Sequence, residues 1–194
     1  MRSQLLTMMF RKISCNFIFK TTTLLKSLFK PSIVQNFIQI MQLEYVKYSL
    51  EELEDVKNIF IEYSEFLQVD LCFQDFEKEL MTLHEVYSPP RGCIILAKQN
   101  DKTVGCIALK PISNGICEMK RLYVRPQARG TGLGRKLVEE LIIFAQKSAY
   151  QSMKLDTVAK LKEAIHLYRS LGFVETAPYV YNPLSDVLYF ELKL

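Results

Sequence analysis

The 194-residue chain is 49% hydrophobic and 24% charged, with a mean hydropathy of +0.05, which excludes a disordered tail, a collagen-like fibre and a disulfide-stapled miniprotein. At this length one globular domain with a substantial core is the default, and seven Gly and seven Pro are too few turn residues for a sandwich built of strands alone. The formal charge of +4, from 25 basic and 21 acidic residues, suggests nucleic acid only until its placement is read.

No Asp or Glu precedes Glu44, whereas Arg2, Arg11, Lys12, Lys20, Lys26 and Lys30 all do. Residues 44–194 therefore hold the other 19 basic residues against all 21 acidic ones, a net of −2, and a nucleic-acid partner loses its electrostatic basis. The acid-free cationic extension, residues 1–42, has the profile of a mitochondrial transit peptide. Within it Leu25, Leu28 and Phe29 can share a helical face away from Lys26 and Lys30. The readings that stay open are import into mitochondria or, in a cytoplasmic protein, either a poorly ordered extension or a working start at Met41 with the upstream residues seldom made. Every apolar run is broken well before the roughly 20 residues a transmembrane helix needs, so no membrane span is expected.

Ser49 followed by Glu52 forms a capping box, and the helix it opens should turn Leu53, Val56, Ile59, Phe60, Tyr63 and Leu67 inward. A second helix is expected from Asp75 to about His84, with Phe76, Leu80 and Leu83 on one side and Pro89–Pro90 beyond its end. The period then changes. Cys93–Ala97 and Thr103–Leu109, joined by Asn100 and Asp101, read as a hairpin, and a third strand, Ile116–Val124, follows the turn at Asn114–Gly115. Beyond the glycines of 130–134, Leu137, Val138, Leu141, Ile142 and Ala145 repeat at helical spacing. A strand at Met153–Thr157, a helix at Leu161–Ser170 closed by Gly172 and two final strands complete a single mixed α/β sheet covered by helices.

Cys15, Cys72, Cys93, Cys106 and Cys117 form no C-x-x-C pair, and His84 and His166 are the only histidines. Neither a metal site nor a disulfide framework is expected. Cys93, Cys106 and Cys117 lie in strand-like runs, where a thiol packs as a small hydrophobe, and reduced thiols suit a cellular interior.

The stretch Glu118–Gly134, EMKRLYVRPQARGTGLG, is a strand running through a loop into a glycine-rich helix start. Unpaired N–H groups there point at one spot, the helix dipole adds positive charge, and glycines let a phosphate approach. Arg125, Arg129, Arg135 and Lys136 add cationic charge, so a phosphorylated cofactor is implied. The Rossmann spacing G-x-G-x-x-G fails because Arg135 and Leu137 occupy the third glycine positions, and no Gly-Lys-Ser/Thr run makes a P-loop.

Gln127-Ala128-Arg129-Gly130-Thr131-Gly132 matches Q/R-x-x-G-x-G/A and continues into Leu133-Gly134. Ala164-Ile165-His166-Leu167-Tyr168 precedes Leu171-Gly172-Phe173. On these strings the chain from about Leu43 to its C-terminus resembles the GNAT superfamily of N-acetyltransferases. The runs Glu118–Val124 and Pro178–Pro183 resemble a small-molecule branch of it. The resemblance implies a GNAT-like α/β fold: a mixed, mostly antiparallel central sheet of about six or seven strands, with about four helices packed on both faces. It implies acetyl-CoA as co-substrate and direct transfer to a small-molecule or peptide amine, by a monomer or homodimer.

By the same resemblance, backbone amides of Gln127, Ala128, Arg129, Gly130, Thr131 and Gly132, with Gly134 and Arg135 beside them, hold the pyrophosphate. Leu122, Tyr123 and Val124 pair with pantetheine through main-chain groups at a splayed strand edge. Tyr168 protonates the departing CoA thiolate. Glu118, on one strand face with Lys120, Leu122 and Val124, is the candidate base, with a structural pairing to Lys120 or Arg121 as its competitor. Phe73, Tyr87, Tyr179, Tyr181 and Asn182 are candidates to border the acceptor. Leu161 stands where many members carry an Asn that bonds pantetheine. His166 points away from Tyr168 and His84 falls in a loop, so neither is expected to be catalytic. The competing reading is an acyl-CoA-binding module without turnover.

Overall fold

The computed structural model describes residues 41–68 and 75–194. The cationic extension before Met41, Phe73, Cys15 and Cys72 lie outside the described residues. Seven strands, β1 (Met41–Tyr45), β2 (Cys93–Gln99), β3 (Lys102–Ser113), β4 (Ile116–Val124), β5 (Ser152–Val158), β6 (Val174–Glu175) and β7 (Val187–Lys193), form one sheet in the order β1-β2-β3-β4-β5-β7-β6. All neighbours are antiparallel except β4 and β5. The helices are α1 (Leu50–Leu67), α2 (Phe76–Met81), α3 (Leu83–Tyr87), α4 (Leu133–Lys147) and α5 (Lys162–Ser170). Among the described residues no helix is long and apolar enough to cross a membrane.

The central strands are buried on both faces, which is why they read as unbroken apolar runs. In β2, Ile94 and Leu96 meet Val56, Ile59 and Phe60 of α1. Ile95 and Ala97, alternate with them, join Leu137 and Leu141 of α4 and Ile165 of α5 on the other side. Burying each large side chain contributes about 1.5–3 kcal/mol, so the sheet is clamped between two helical layers. The Ser49 cap forms in both directions: Glu52 N–H donates to Ser49 Oγ at 3.3 Å and Ser49 N–H to Glu52 Oε2 at 3.1 Å.

Three expectations need correction. The helix expected from Asp75 to His84 is two short helices. They break at Thr82, whose side-chain hydroxyl bonds the Lys78 carbonyl at 2.8 Å while its backbone takes φ −118°, and His84 lies in α3 rather than in a loop. Strand β1 is unannounced by the sequence; it is short and only half-buried. Finally, alternation along β4 is broken by a bulge. Its register passes from Ala108↔Lys120 to Cys106↔Tyr123, and Arg121 adopts φ 59°. Met119 packs with the α4–α5 core, and beyond the bulge so do Leu122 and Val124. Glu118 and Lys120 therefore face the opposite side from Leu122 and Val124.

Candidate active site

Strands β4 and β5 are hydrogen-bonded only at Ile116↔Ser152, Cys117↔Met153 and Glu118↔Lys154, although both run on for several residues. The bulge at Arg121 bends β4 away, as bulges do. Its side chain is buried and fixed from the α1–α3 layer: Nε donates to Glu79 Oε1 at 3.0 Å and Nη2 to Glu79 Oε2. The Tyr87 hydroxyl donates to the same carboxylate at 2.5 Å, and the guanidinium lies 5.0 Å from the Phe76 ring centroid. Burial alone would raise the Glu79 pKa, but the hydrogen bonds and charge of Arg121 and the Tyr87 hydroxyl hold it below its ordinary value.

The parted strands leave a cleft through the sheet. Met119, Leu122, Leu155, Ala164 and Tyr168 line it from the α4–α5 side. Tyr63, Leu67, Lys120, Asp156 and Asn182 line it from the α1 side. An opening through a sheet lets two molecules reach one point from opposite faces.

On the α4 side the glycine-rich loop closes one end. Pro126–Ala128 form a 3-10 turn, and α4 starts after Gly132. Gly130 and Gly132 hold φ of +74° and +80°, where a Cβ would be strained yet would meet no neighbour within 4 Å. Among the described residues, no acceptor takes the backbone N–H groups of Gly130 through Arg135, while Lys136 N–H already bonds the Gly132 carbonyl at 3.2 Å. Such a cradle of free donors at a helix start suits a phosphate. Arg129 donates from Nε to the Val124 carbonyl at 2.9 Å and lies 4.5 Å from the Phe66 ring centroid. Arg135 bonds Ser170 Oγ at 2.6 Å. Leu122 and Val124 sit beyond the last β4–β5 pair, at the parted edge, whereas the Tyr123 side chain packs on the α1 side.

Tyr168 is held by the end of its own helix. Phe173 N–H bonds the Tyr168 carbonyl and Gly172 N–H the Arg169 carbonyl, both at 3.1 Å, with Gly172 at φ +90°, a Schellman closure. The ring packs 5.9 Å from Phe173 and 6.2 Å from Phe190. It is only 6% exposed, its hydroxyl has no partner among the described residues, and it borders the cleft. Burial, with smaller contributions from Tyr63 and Asp156, raises its pKa well above the usual phenol range.

Glu118, 3% exposed, accepts from the Tyr179 hydroxyl at 2.9 Å and lies 3.1 Å from Lys110 Nζ and 4.0 Å from Lys120 Nζ. It is not among the residues that line the cleft. Lys120 is, and burial lowers its pKa against the opposing pull of Glu118.

Residues 53–173 match the family model "Acetyltransferase (GNAT) family". The chain belongs to the GNAT family. An uncharacterized N-acetyltransferase of Schizosaccharomyces pombe is 42% identical over 146 residues, covering 74% of this chain and 90% of that protein. One from Dictyostelium discoideum is 31% identical, covering 74% and 95%. Among solved structures, an acetyltransferase from Streptococcus agalactiae superposes with a TM-score of 0.69 at 24% identity, covering 81% of this chain and all of the other. A Salmonella typhimurium acetyltransferase solved with its cofactor acetyl-CoA gives 0.58 at 20%, covering 79% and 94%. This GNAT protein is thus an acyltransferase of a family that uses acetyl-CoA and acts on amines.

Of the residues named from the sequence, the structure brings Tyr168 and Asn182 to one opening and sets Tyr179 beside Glu118. Tyr181 is 81% exposed and Tyr87 is buried under α2, so neither borders the cleft. The residue that sequence reasoning missed is Asp156 on β5, half-buried in the cleft wall with Oδ2 accepting from Asn182 Nδ2 at 3.0 Å. The signal was faint: in SMKLDTV the polar Lys154 and Asp156 alternate with Met153 and Leu155, the ordinary pattern of a half-buried strand.

Proposed function

We propose that this GNAT protein transfers the acetyl group of acetyl-CoA directly to an amine, with no covalent enzyme intermediate. The observation that carries the reading is the cleft through the sheet, because it opens the phosphate cradle's side and the α1 side onto one point beside Tyr168. The N–H groups of Gly130 to Arg135, with the Arg129 and Arg135 side chains, hold the diphosphate; the Ala128 and Arg129 amides, expected among them, are already spent on the Arg125 and Pro126 carbonyls at 2.9 and 3.2 Å. The main chain of Leu122, Tyr123 and Val124 aligns the pantetheine arm, and a backbone amide on that edge stabilises the thioester oxygen by about 3 kcal/mol. An amine with a pKa near 10.4 arrives protonated, so a carboxylate must relieve it of a proton before attack. The family resemblance offers Glu118, but that carboxylate is taken by Tyr179 and Lys110 and does not line the cleft. Tyr168 donates its phenol proton to the departing sulfur. Burial pushes the thiols of Cys93 and Cys106 up, and that of Cys117 to about 12, which favours direct transfer over an acyl-cysteine.

The test is CoA release from acetyl-CoA across a panel of amines, amino acids and peptides, with Tyr168→Phe as control. The expected result is turnover with at least one acceptor and a loss of about 100-fold in the variant, with acetyl-CoA affinity kept. CoA binding with no release for any acceptor would favour the binding-module reading. Full turnover by Tyr168→Phe would remove Tyr168 as the acid.

A further inference from the structure

The α1 side of the cleft carries a two-part surface that the family match does not assign. Asn182 is oriented by its own turn: Pro183 has no N–H, and the Leu184 N–H donates to Asn182 Oδ1 at 3.1 Å. That bond leaves the Asn182 amide nitrogen aimed at Asp156 Oδ2, at 3.0 Å. The other Asp156 oxygen accepts no protein hydrogen bond among the described residues, and Asp156 lines the same opening as Tyr168, within reach of the Lys120 charge. The Asp156 charge reaches that phenol, since it helps to raise the Tyr168 pKa after burial and Tyr63. Glu118 differs in kind, being occupied by Tyr179 and Lys110 and set back from the cleft wall.

Next to Asp156 the wall turns apolar. Leu67 and Val158 pack with Tyr63, Leu161 and Leu184, and all five line the opening. Among the described residues, the cations that line the opening are Lys120 and Arg121. Arg121 is paired with Glu79 and Lys120 lies 4.0 Å from Glu118, so a second ammonium on a bound molecule would be disfavoured by the apolar wall itself, which offers it no carboxylate.

We infer that the acceptor is a monoamine with an apolar body, its ammonium taken by Asp156 and its body laid on the Tyr63–Leu67–Leu184 wall. This rests on the acetyl-transfer reading and deepens it. The ammonium gives one proton to Asp156, and from there to solvent. The nitrogen lone pair then forms the C–N bond as the C–S bond breaks. Tyr168 gives its proton to the sulfur, and one of the two protons left on nitrogen restores the phenol while the amide keeps the other. Amide, free thiol and one solvent proton are the products, so atoms and charge balance.

The experiment measures binding, independently of turnover. Hexylamine, hexanol and 1,6-diaminohexane are titrated into the CoA-loaded full chain by ligand-observed NMR. Hexylamine is expected to bind about tenfold more tightly than hexanol, as a charge-assisted hydrogen bond implies, and more tightly than the diamine. Asp156→Asn should abolish the preference over hexanol, with CoA affinity and thermal midpoint kept. Leu184→Ala, which leaves the carboxylate in place, should narrow the gap between hexylamine and ethylamine. Equal binding of hexanol, no binding of hexylamine, or an undiminished preference in Asp156→Asn would overturn the inference. Hexylamine bound as expected but not acetylated would support the subsite while counting against acetyl transfer.

Discussion

Arg121 is a long, β-carbon-bearing residue held at φ 59°, a conformation that costs about 1–2 kcal/mol. It persists because its guanidinium is locked by Glu79 and stacked on Phe76 and Tyr63, and the strand bends where it does as a result. The Glu79 pKa is lowered in the folded chain, so this carboxylate stabilises the protein above its unfolded pKa of about 4.3. That stability is lost as pH falls through the lower folded value. Glu79→Gln should cost about 3–5 kcal/mol at neutral pH by stranding a buried cation, and should remove this group's share of the acid-induced loss. Urea unfolding followed from pH 7 down past pH 4 checks both; an unchanged acid slope would show that the pair does not govern it. At the same scale, Tyr168 stays protonated through the neutral range, because burial raises its pKa. An alkaline fall in turnover would belong to another group.

The loop ahead of α4 is where backbone conformation serves the chemistry directly. Gly132 sits at φ +80° with open space where a Cβ would go, so its substitution meets strain rather than a clash. Gly132→Ala should lower stability by about 1 kcal/mol and should weaken CoA binding more than that strain accounts for, because the new methyl stands among the phosphate-facing amides. Calorimetric titration of CoA beside a thermal melt separates the two effects. If affinity fell no further than stability, the loop would not be the cradle. Elements with strong local signals were legible: the Ser49–Glu52 cap, the Gly172 closure and the period of Leu137, Val138 and Leu141 all appear as read. The Thr82 break was not, since a threonine inside a helical pattern is an ordinary residue until its hydroxyl takes a carbonyl from the turn before it.

At the scale of the whole molecule, β1 covers one edge of the sheet by pairing Met41–Tyr45 with Ile95–Gln99 of β2, shielding a strand whose side chains are almost all buried. A chain starting at Met41 keeps every residue of β1. One starting at Val46 should melt lower and aggregate, because it bares the β2 edge. Melting and light scattering of the two truncations decide it; a stable, monodisperse Val46 chain would deny β1 that role. Composition and periodicity by themselves determined that this is a mixed α/β domain, that the thiols of Cys93, Cys106 and Cys117 are buried, and that Gln127–Gly134 opens a helix with donors to spare. These are local matters, set by which residues tolerate which backbone and by how apolar positions repeat. Tertiary structure alone decided which face Glu118 shares, because the bulge at Arg121 reverses the alternation and is held by Glu79, 42 residues away. It alone brought Asp156, Asn182, Tyr63 and Tyr168 to one opening, since strand pairing joins positions that sequence distance keeps apart. It alone parted β4 from β5, because a bend depends on what grips it from the neighbouring layer.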